Sequence, residues 1–423
     1  MASTAPGAAG QNNNRALAVL TSLFFMWGFI TCLNDILIPH LREVFTLSYF
    51  QAMLVQFCFF TAYAVMSIPF GKLVAKTGYK NAVIIGLLIA ATGCVLFYPA
   101  ASKASYPLFL GALFVLASGI TMLQVSANPY VTLLSPPGKE ARTLTLVQAF
   151  NSLGTTVAPY LGAIFILGGT ILTADQLAAL STAEQEAYQN AQAASVQVPY
   201  LILAGILVAL AVGFALTKLP AAEQIAEEVS AHAHDGKTSV WQYRHLLLGT
   251  VGIFCYVGAE VSIGSLLVNV MALPEVAGLS HATAGQYLAW YWGGAMIGRF
   301  IGSVLLNKFD AGKYLACNAA INVCLIAIAI TVGGKPAMFS LLAIGLFNAV
   351  MFPTIFSLGA RGLGRFTSAG SGLLNTAIVG GAIVPVIQGW VADHQGLLIS
   401  FLVSAVCYCY IIFFGLIGHK ADD

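Results

Sequence analysis

The chain has 423 residues, of which 59% are hydrophobic and only 8% charged, and its net charge is +2. Its mean hydropathy is +0.86. A soluble protein of this length carries about 25% charged residues around two or three cores, so a soluble fold is excluded. The small net charge gives no reason to expect nucleic acid as a partner.

Residues 1–15 form a polar tail without the charged region and cleavage site of a secretory signal. Apolar blocks then follow at about 16–39, 51–74, 80–99, 107–134, 143–167, 198–217, 245–272, 284–306, 314–332, 336–359, 367–392 and 396–418. Each is roughly 20 residues long, enough to cross a ~30 Å hydrocarbon core. None shows the ~10-residue alternation of a membrane barrel. The expectation is an all-α membrane protein with twelve transmembrane helices.

The polar connection 218–244 divides the blocks into an N-terminal six-helix bundle, 16–217, and a C-terminal one, 245–418, with a short tail at 419–423. His232, His234 and Asp235 fall in that connection. A solvated linker explains them better than a metal site, because nothing nearby supplies a fourth ligand. The eight cysteines all fall inside spans and read as small packing residues, with no disulfide or metal spacing.

With the N-terminus inside, 14 of the 18 Lys and Arg residues fall in cytoplasmic segments. Arg42, Lys103 and Lys335 lie on the other face, and Arg299 lies inside a span. The positive-inside rule then places both termini in the cytoplasm. The absence of an N-x-S/T sequon agrees with a bacterial inner membrane.

The halves repeat. Phe24 and Gly28 match Phe254 and Gly258, Gly71 matches Gly302, Gln124 and Pro129 match Asn348 and Pro353, and Gly154 and Pro159 match Gly380 and Pro385. Matches in this order at nearly constant offset indicate duplicated six-helix units related by a parallel repeat. The prolines mark helix kinks.

This organisation resembles the major facilitator superfamily. The loop Gly71-Lys-Leu73-Val-Ala-Lys76-Thr-Gly78-Tyr-Lys80 is similar to its G-x-L-x-D-x-x-G-[RK]-[RK] signature, with Ala75 in place of the aspartate. Three further segments resemble the fucose/glucose/galactose sugar:cation symporter family: Leu33-Asn34-Asp35-Ile-Leu, Ala127-Asn128-Pro129-Tyr-Val and Gln148-Ala-Phe-Asn151-Ser-Leu-Gly154. Its L-fucose:proton members carry a glutamate where this chain has Gln124, so the glucose/galactose branch is the better match. The resemblance implies two pseudo-symmetric six-helix bundles and symport of a hexose with a proton or a sodium ion. An exporter of drugs or metabolites on the same fold is the alternative.

A sugar site needs amides and carboxylates for the hydroxyls and aromatic rings for the C–H faces. In span 5, Thr145, Gln148, Asn151 and Thr155 share one helical face, as do Thr121, Gln124 and Asn128 in span 4. The expected sugar contacts are Gln148, Asn151, Glu260, Gln124, Asn348 and Asn375, with Trp290 or Tyr291 as aromatic cover. For any one amide the competing role is interhelical hydrogen bonding.

Asp35 and Glu260 each stand in the first span of a half, where an ionisable group is costly and faces a cavity or a partner. Asp35 is the expected coupling acid, neutralised by a proton or by a cation. Asn34, Thr121, Gln124 and Asn128 supply oxygens around it, a set that suits sodium. Arg299 is expected to cap or gate the cytoplasmic side. No His lies within a span core, which argues against an enzyme. No cofactor is implied beyond the coupling ion, and the expected partners are the sugar, that cation and lipid, with the protein monomeric.

Overall fold

The computed structural model describes residues 16–31, 49–103, 105–165, 180–195, 197–217 and 238–420. Asn34, Asp35 and the linker histidines lie outside the described residues. Among the described residues the chain is helical, without a strand.

The helices are α1 (Ala16–Thr31), α2 (Tyr49–Thr77), α3 (Tyr79–Ser102), α4 (Tyr106–Leu134), α5 (Glu140–Phe165), α6 (Thr182–Ser195), α7 (Gln197–Leu216), α8 (Arg244–Ala272), α9 (His281–Leu305) and α10 (Ala311–Val332). They end with α11 (Gly334–Gly359), α12 (Gly364–Gln395) and α13 (Leu397–Gly418). All but α6 correspond to the twelve predicted blocks. Helix α6 is a polar helix in the α5–α7 connection, started by Ser181, whose N–H and hydroxyl bond the Glu184 carboxylate at 2.9 and 2.7 Å. Those bonds hold the Glu184 carboxyl below its ordinary range.

Among the described residues nine helices are long and apolar enough to cross a membrane. Helices α5 and α9 fall short of that apolarity for a structural reason: they pack on each other across the two halves. Their polar side chains meet protein and cavity rather than lipid.

The repeat read from the sequence reappears as matched helix contacts. Gly28 of α1 lies against the backbone carbonyl of Asn151 on α5, and Gly154 of α5 against that of Phe25. In the other half Gly380 of α12 lies against the carbonyl of Phe254 on α8, and Gly258 of α8 against Val384. A Cβ at any of the four would force the first and fifth helices of its half apart.

The prolines form a second matched pair. Pro129 has no N–H to offer the carbonyl of Val125, and Pro353 has none for Ala349. Ser371 Oγ of α12 donates to Val125 O at 2.8 Å, and Arg299 Nε of α9 donates to Ala349 O at 3.3 Å. Each carbonyl released by a kink is thus capped by a side chain from a neighbouring helix. Helix α11 is also broken between Asn348 and Met351.

The halves meet through α2 with α12 and α5 with α9, supported by α4 with α12 and α5 with α11. Gly71 and Gly372 let the backbones of α2 and α12 touch. Lys139 Nζ donates to Asn307 Oδ1 at 3.1 Å, and Ser368 Oγ to Tyr79 OH at 3.2 Å. These contacts sit at the end that carries the basic loops, so the halves are joined there. Lys80, in the signature loop, reaches the Ala215 carbonyl of α7 at 2.9 Å.

Candidate functional site

A cavity of about 210 Å³ lies between the halves. The N-terminal half lines it with Trp27 and Thr31 of α1, Phe59 and Tyr63 of α2, Gln124 of α4, and Gln148, Asn151 and Thr155 of α5. The C-terminal half adds Tyr256, Val257 and Glu260 of α8, Arg299 of α9, Phe352 and Pro353 of α11, and Ile378 of α12.

The N-terminal wall is built from amides. Gln124 Nε2 donates to Tyr63 OH at 2.6 Å. Gln148 Nε2 faces Asn128 Oδ1 at 3.5 Å, the outer limit of a hydrogen bond. Asn151 Nδ2 donates to Phe24 O at 2.9 Å, which ties α5 to α1 and leaves its side-chain oxygen as an acceptor.

The C-terminal wall carries charge. Glu260 Oε1 accepts from Tyr256 OH, one turn earlier, at 2.7 Å. Behind it Tyr291 OH donates to the Glu260 backbone carbonyl at 3.1 Å and accepts from Asn348 Nδ2 at 3.0 Å. Asn348 Oδ1 in turn accepts from Asn322 Nδ2 at 2.9 Å and Tyr408 OH at 2.7 Å. This fully buried layer fixes the backbone that presents Glu260. Arg299 joins the halves, donating to Ser152 Oγ of α5 as well as to Ala349 O.

Of the predicted site residues, Gln124, Gln148, Asn151 and Glu260 share the cavity. Asn348 and Tyr291 stand one layer behind it. Asn375 is fully buried on Ser371 O, 2.8 Å away, and does not line the cavity. Trp290 is 67% exposed and is not among the residues that line the cavity. The aromatic side chains that line the cavity are Trp27, Phe59, Tyr63, Tyr256 and Phe352. Thr121 and Asn128 are buried within α4 and do not join Gln124 at the cavity; Thr121 Oγ1 is occupied by Ala117 O at 2.8 Å. Asp35 and Asn34 lie outside the described residues.

Arg299, expected from the sequence to cap or gate the cytoplasmic side, lines the cavity, where the carbonyl freed by Pro353 and the Ser152 hydroxyl offer its part-buried guanidinium two partners. Its position well inside a span, away from the basic loops, was the available signal. For Trp27 the signal was spacing: Trp27, Thr31 and Asp35 follow each other at four-residue steps. Nothing in the α2 sequence singled out Tyr63.

Apolar helices of membrane-spanning length, in matched halves around a central cavity, are the build of a membrane carrier, and the family model for the Major Facilitator Superfamily matches residues 18–385. The chain belongs to that superfamily. It is 56% identical over 411 residues to a glucose/galactose transporter of Brucella abortus biovar 1 (strain 9-941), covering 97% of this chain and 96% of the relative. It is 36% identical over 415 residues to the L-fucose-proton symporter of Escherichia coli (strain K12), covering 96% and 94%. The crystal structure of the transporter FucP in the outward conformation superposes with a TM-score of 0.86 at 36% identity, over 95% of this chain and 97% of that one.

Proposed function

We propose that the cavity binds a hexose of the glucose or galactose kind and that the protein carries it across the membrane together with a cation, by alternating access. The observation that carries this reading is the wall composition. Three amides of one half face a carboxylate and a guanidinium of the other, with Trp27, Phe59 and Phe352 between them. That set matches a polyhydroxylated ring, whose hydroxyls both donate and accept and whose C–H faces lie on aromatic surface. A drug exporter would need a more apolar cavity. The names of the two relatives point the same way.

Asp35 is the proposed coupling acid. In sequence it follows Thr31, a cavity residue, by four positions. Neutralising it by a cation removes a charge penalty of several kcal/mol from the reorienting carrier. A proton is the better supported ion: one relative is named a proton symporter, and Thr121 and Asn128 do not gather with Gln124 as a sodium site would need. Glu260 is proposed to accept sugar hydroxyls. The distribution of Lys and Arg supports a reading in which both termini and the linker 218–244 are cytoplasmic in a bacterial inner-membrane protein, and the proposed build is a monomer of bundles 16–217 and 245–418. The joined end is then the cytoplasmic one.

The test is Gln148→Ala in proteoliposomes. Loss of one hydroxyl contact of ~1–3 kcal/mol should raise the KM for glucose about fivefold to a hundredfold, with maximal velocity nearly kept. An unaltered KM would move the sugar elsewhere.

A further inference from the structure

Tyr63 lines the cavity from α2, buried to 2% exposure, and its ring is held by Phe59 at 5.5 Å between centroids and 51° between planes. Its hydroxyl accepts the Gln124 amide N–H at 2.6 Å, the shortest side-chain link in the N-terminal wall. A phenol has one proton and can accept as well as donate. With Gln124 as donor, the Tyr63 proton remains available, and among the described residues no acceptor takes it. Gln124 has used one amide hydrogen on Tyr63 and keeps its side-chain carbonyl as an acceptor at the same place in the wall. An O–H donor therefore stands beside a C=O acceptor, which is the pattern that one sugar hydroxyl, or two neighbouring ones, completes.

We propose that Tyr63 is a specificity-determining residue: oriented by Gln124, it donates its hydroxyl proton to one hydroxyl oxygen of the sugar while the Gln124 carbonyl accepts in return. The proposal rests on the cavity being a hexose site. It also assigns a reason for an amide at position 124. A carboxylate there has no proton to give Tyr63 when ionised, so it would accept from the phenol. The cavity would then lose its donor and gain a negative charge.

The experiment measures KM in proteoliposomes for glucose and for the series of monodeoxy glucoses, each with one hydroxyl replaced by hydrogen. Wild type, Tyr63→Phe and Gln124→Glu are compared. In wild type one deoxy sugar should bind about fivefold or more weakly than glucose because it lacks the oxygen that Tyr63 serves. Tyr63→Phe should weaken glucose by that factor or less, yet bind that deoxy sugar as wild type does, because the deoxy sugar has already lost the bond that Tyr63→Phe removes. Gln124→Glu should show the same selective blindness at neutral pH while retaining the phenol, which covers the case of a Tyr63→Phe protein that does not fold. Losses that multiply for every deoxy sugar, or an unchanged KM for glucose in both variants, would overturn the proposal with the hexose site intact. A wild type that takes up no hexose would overturn both.

Discussion

The two walls of the cavity are built on different physical terms. The N-terminal wall holds neutral amides, and each is tied by one hydrogen bond to another helix: Gln124 to Tyr63, Gln148 to Asn128 and Asn151 to Phe24 O. The C-terminal wall holds an acid and an arginine, backed by a buried layer of Tyr291, Asn348, Asn322 and Tyr408. Amides cost less to bury than charges and keep spare donors and acceptors, so they suit the reading of hydroxyls. Charges are expensive to bury and need fixed partners behind them. On the proposed reading the difference teaches a division of labour, with most hydroxyl contacts from the amides of one half and a rigid charged floor, Glu260 included, from the other.

The largest expected effect comes from removing the floor's acid. Glu260→Ala leaves Arg299 in the cavity wall without an opposing charge and Tyr256 without its acceptor. Glucose uptake, measured as kcat/KM, should fall by roughly one to two orders of magnitude, less than the full ~3–5 kcal/mol cost of stranding a wholly buried charge because Arg299 is part-buried. Glu260→Gln keeps an acceptor for Tyr256 and should lose less. Equal losses would mean that charge alone matters and would flatten the contrast between the walls.

A smaller effect is expected one layer back. Tyr291→Phe removes the donor to the Glu260 backbone carbonyl and one partner of Asn348. A loss of about 1 kcal/mol predicts a KM some fivefold higher with folding preserved, measured by uptake and by thermal unfolding. An effect as large as that of Glu260→Ala would make the layer part of the site itself.

The smallest lies at the interface of the halves. Ser371→Ala leaves the Val125 carbonyl, released by Pro129, without its cap from the other half. Separation of the halves at the basic end should become easier by up to about fivefold, read as thiol labelling of a cysteine placed between α2 and α12. Unchanged labelling would confine the Ser371 contact to packing.

Much of the fold was legible because bilayer thickness dictates block length and because the halves repeat. Four of the matched glycines mark real contacts: Gly28 and Gly154 face the α1–α5 crossing, and Gly258 and Gly380 face the α8–α12 crossing. Gln148, Asn151 and Glu260 were legible because a polar side chain in an apolar span needs a reason to be there. Trp290 was placed in the site because an aromatic within a span fits a sugar face as well as it fits lipid, and sequence does not give the rotation of a helix. Tyr63 and Arg299 escaped for a related cause. What they do depends on partners from other helices, a Gln124 amide and a carbonyl freed by Pro353, and no local spacing encodes those meetings.

Coupling is tested most directly by uptake of labelled glucose into proteoliposomes carrying wild type or Asp35→Asn, with an inward pH gradient or an inward sodium gradient imposed separately. Wild type should concentrate the sugar above its outside level under one of these gradients, the pH gradient being the expected one, whereas Asp35→Asn should exchange sugar without concentrating it. Equal accumulation by the variant, or no accumulation by wild type under either gradient, would contradict a hexose–cation symporter.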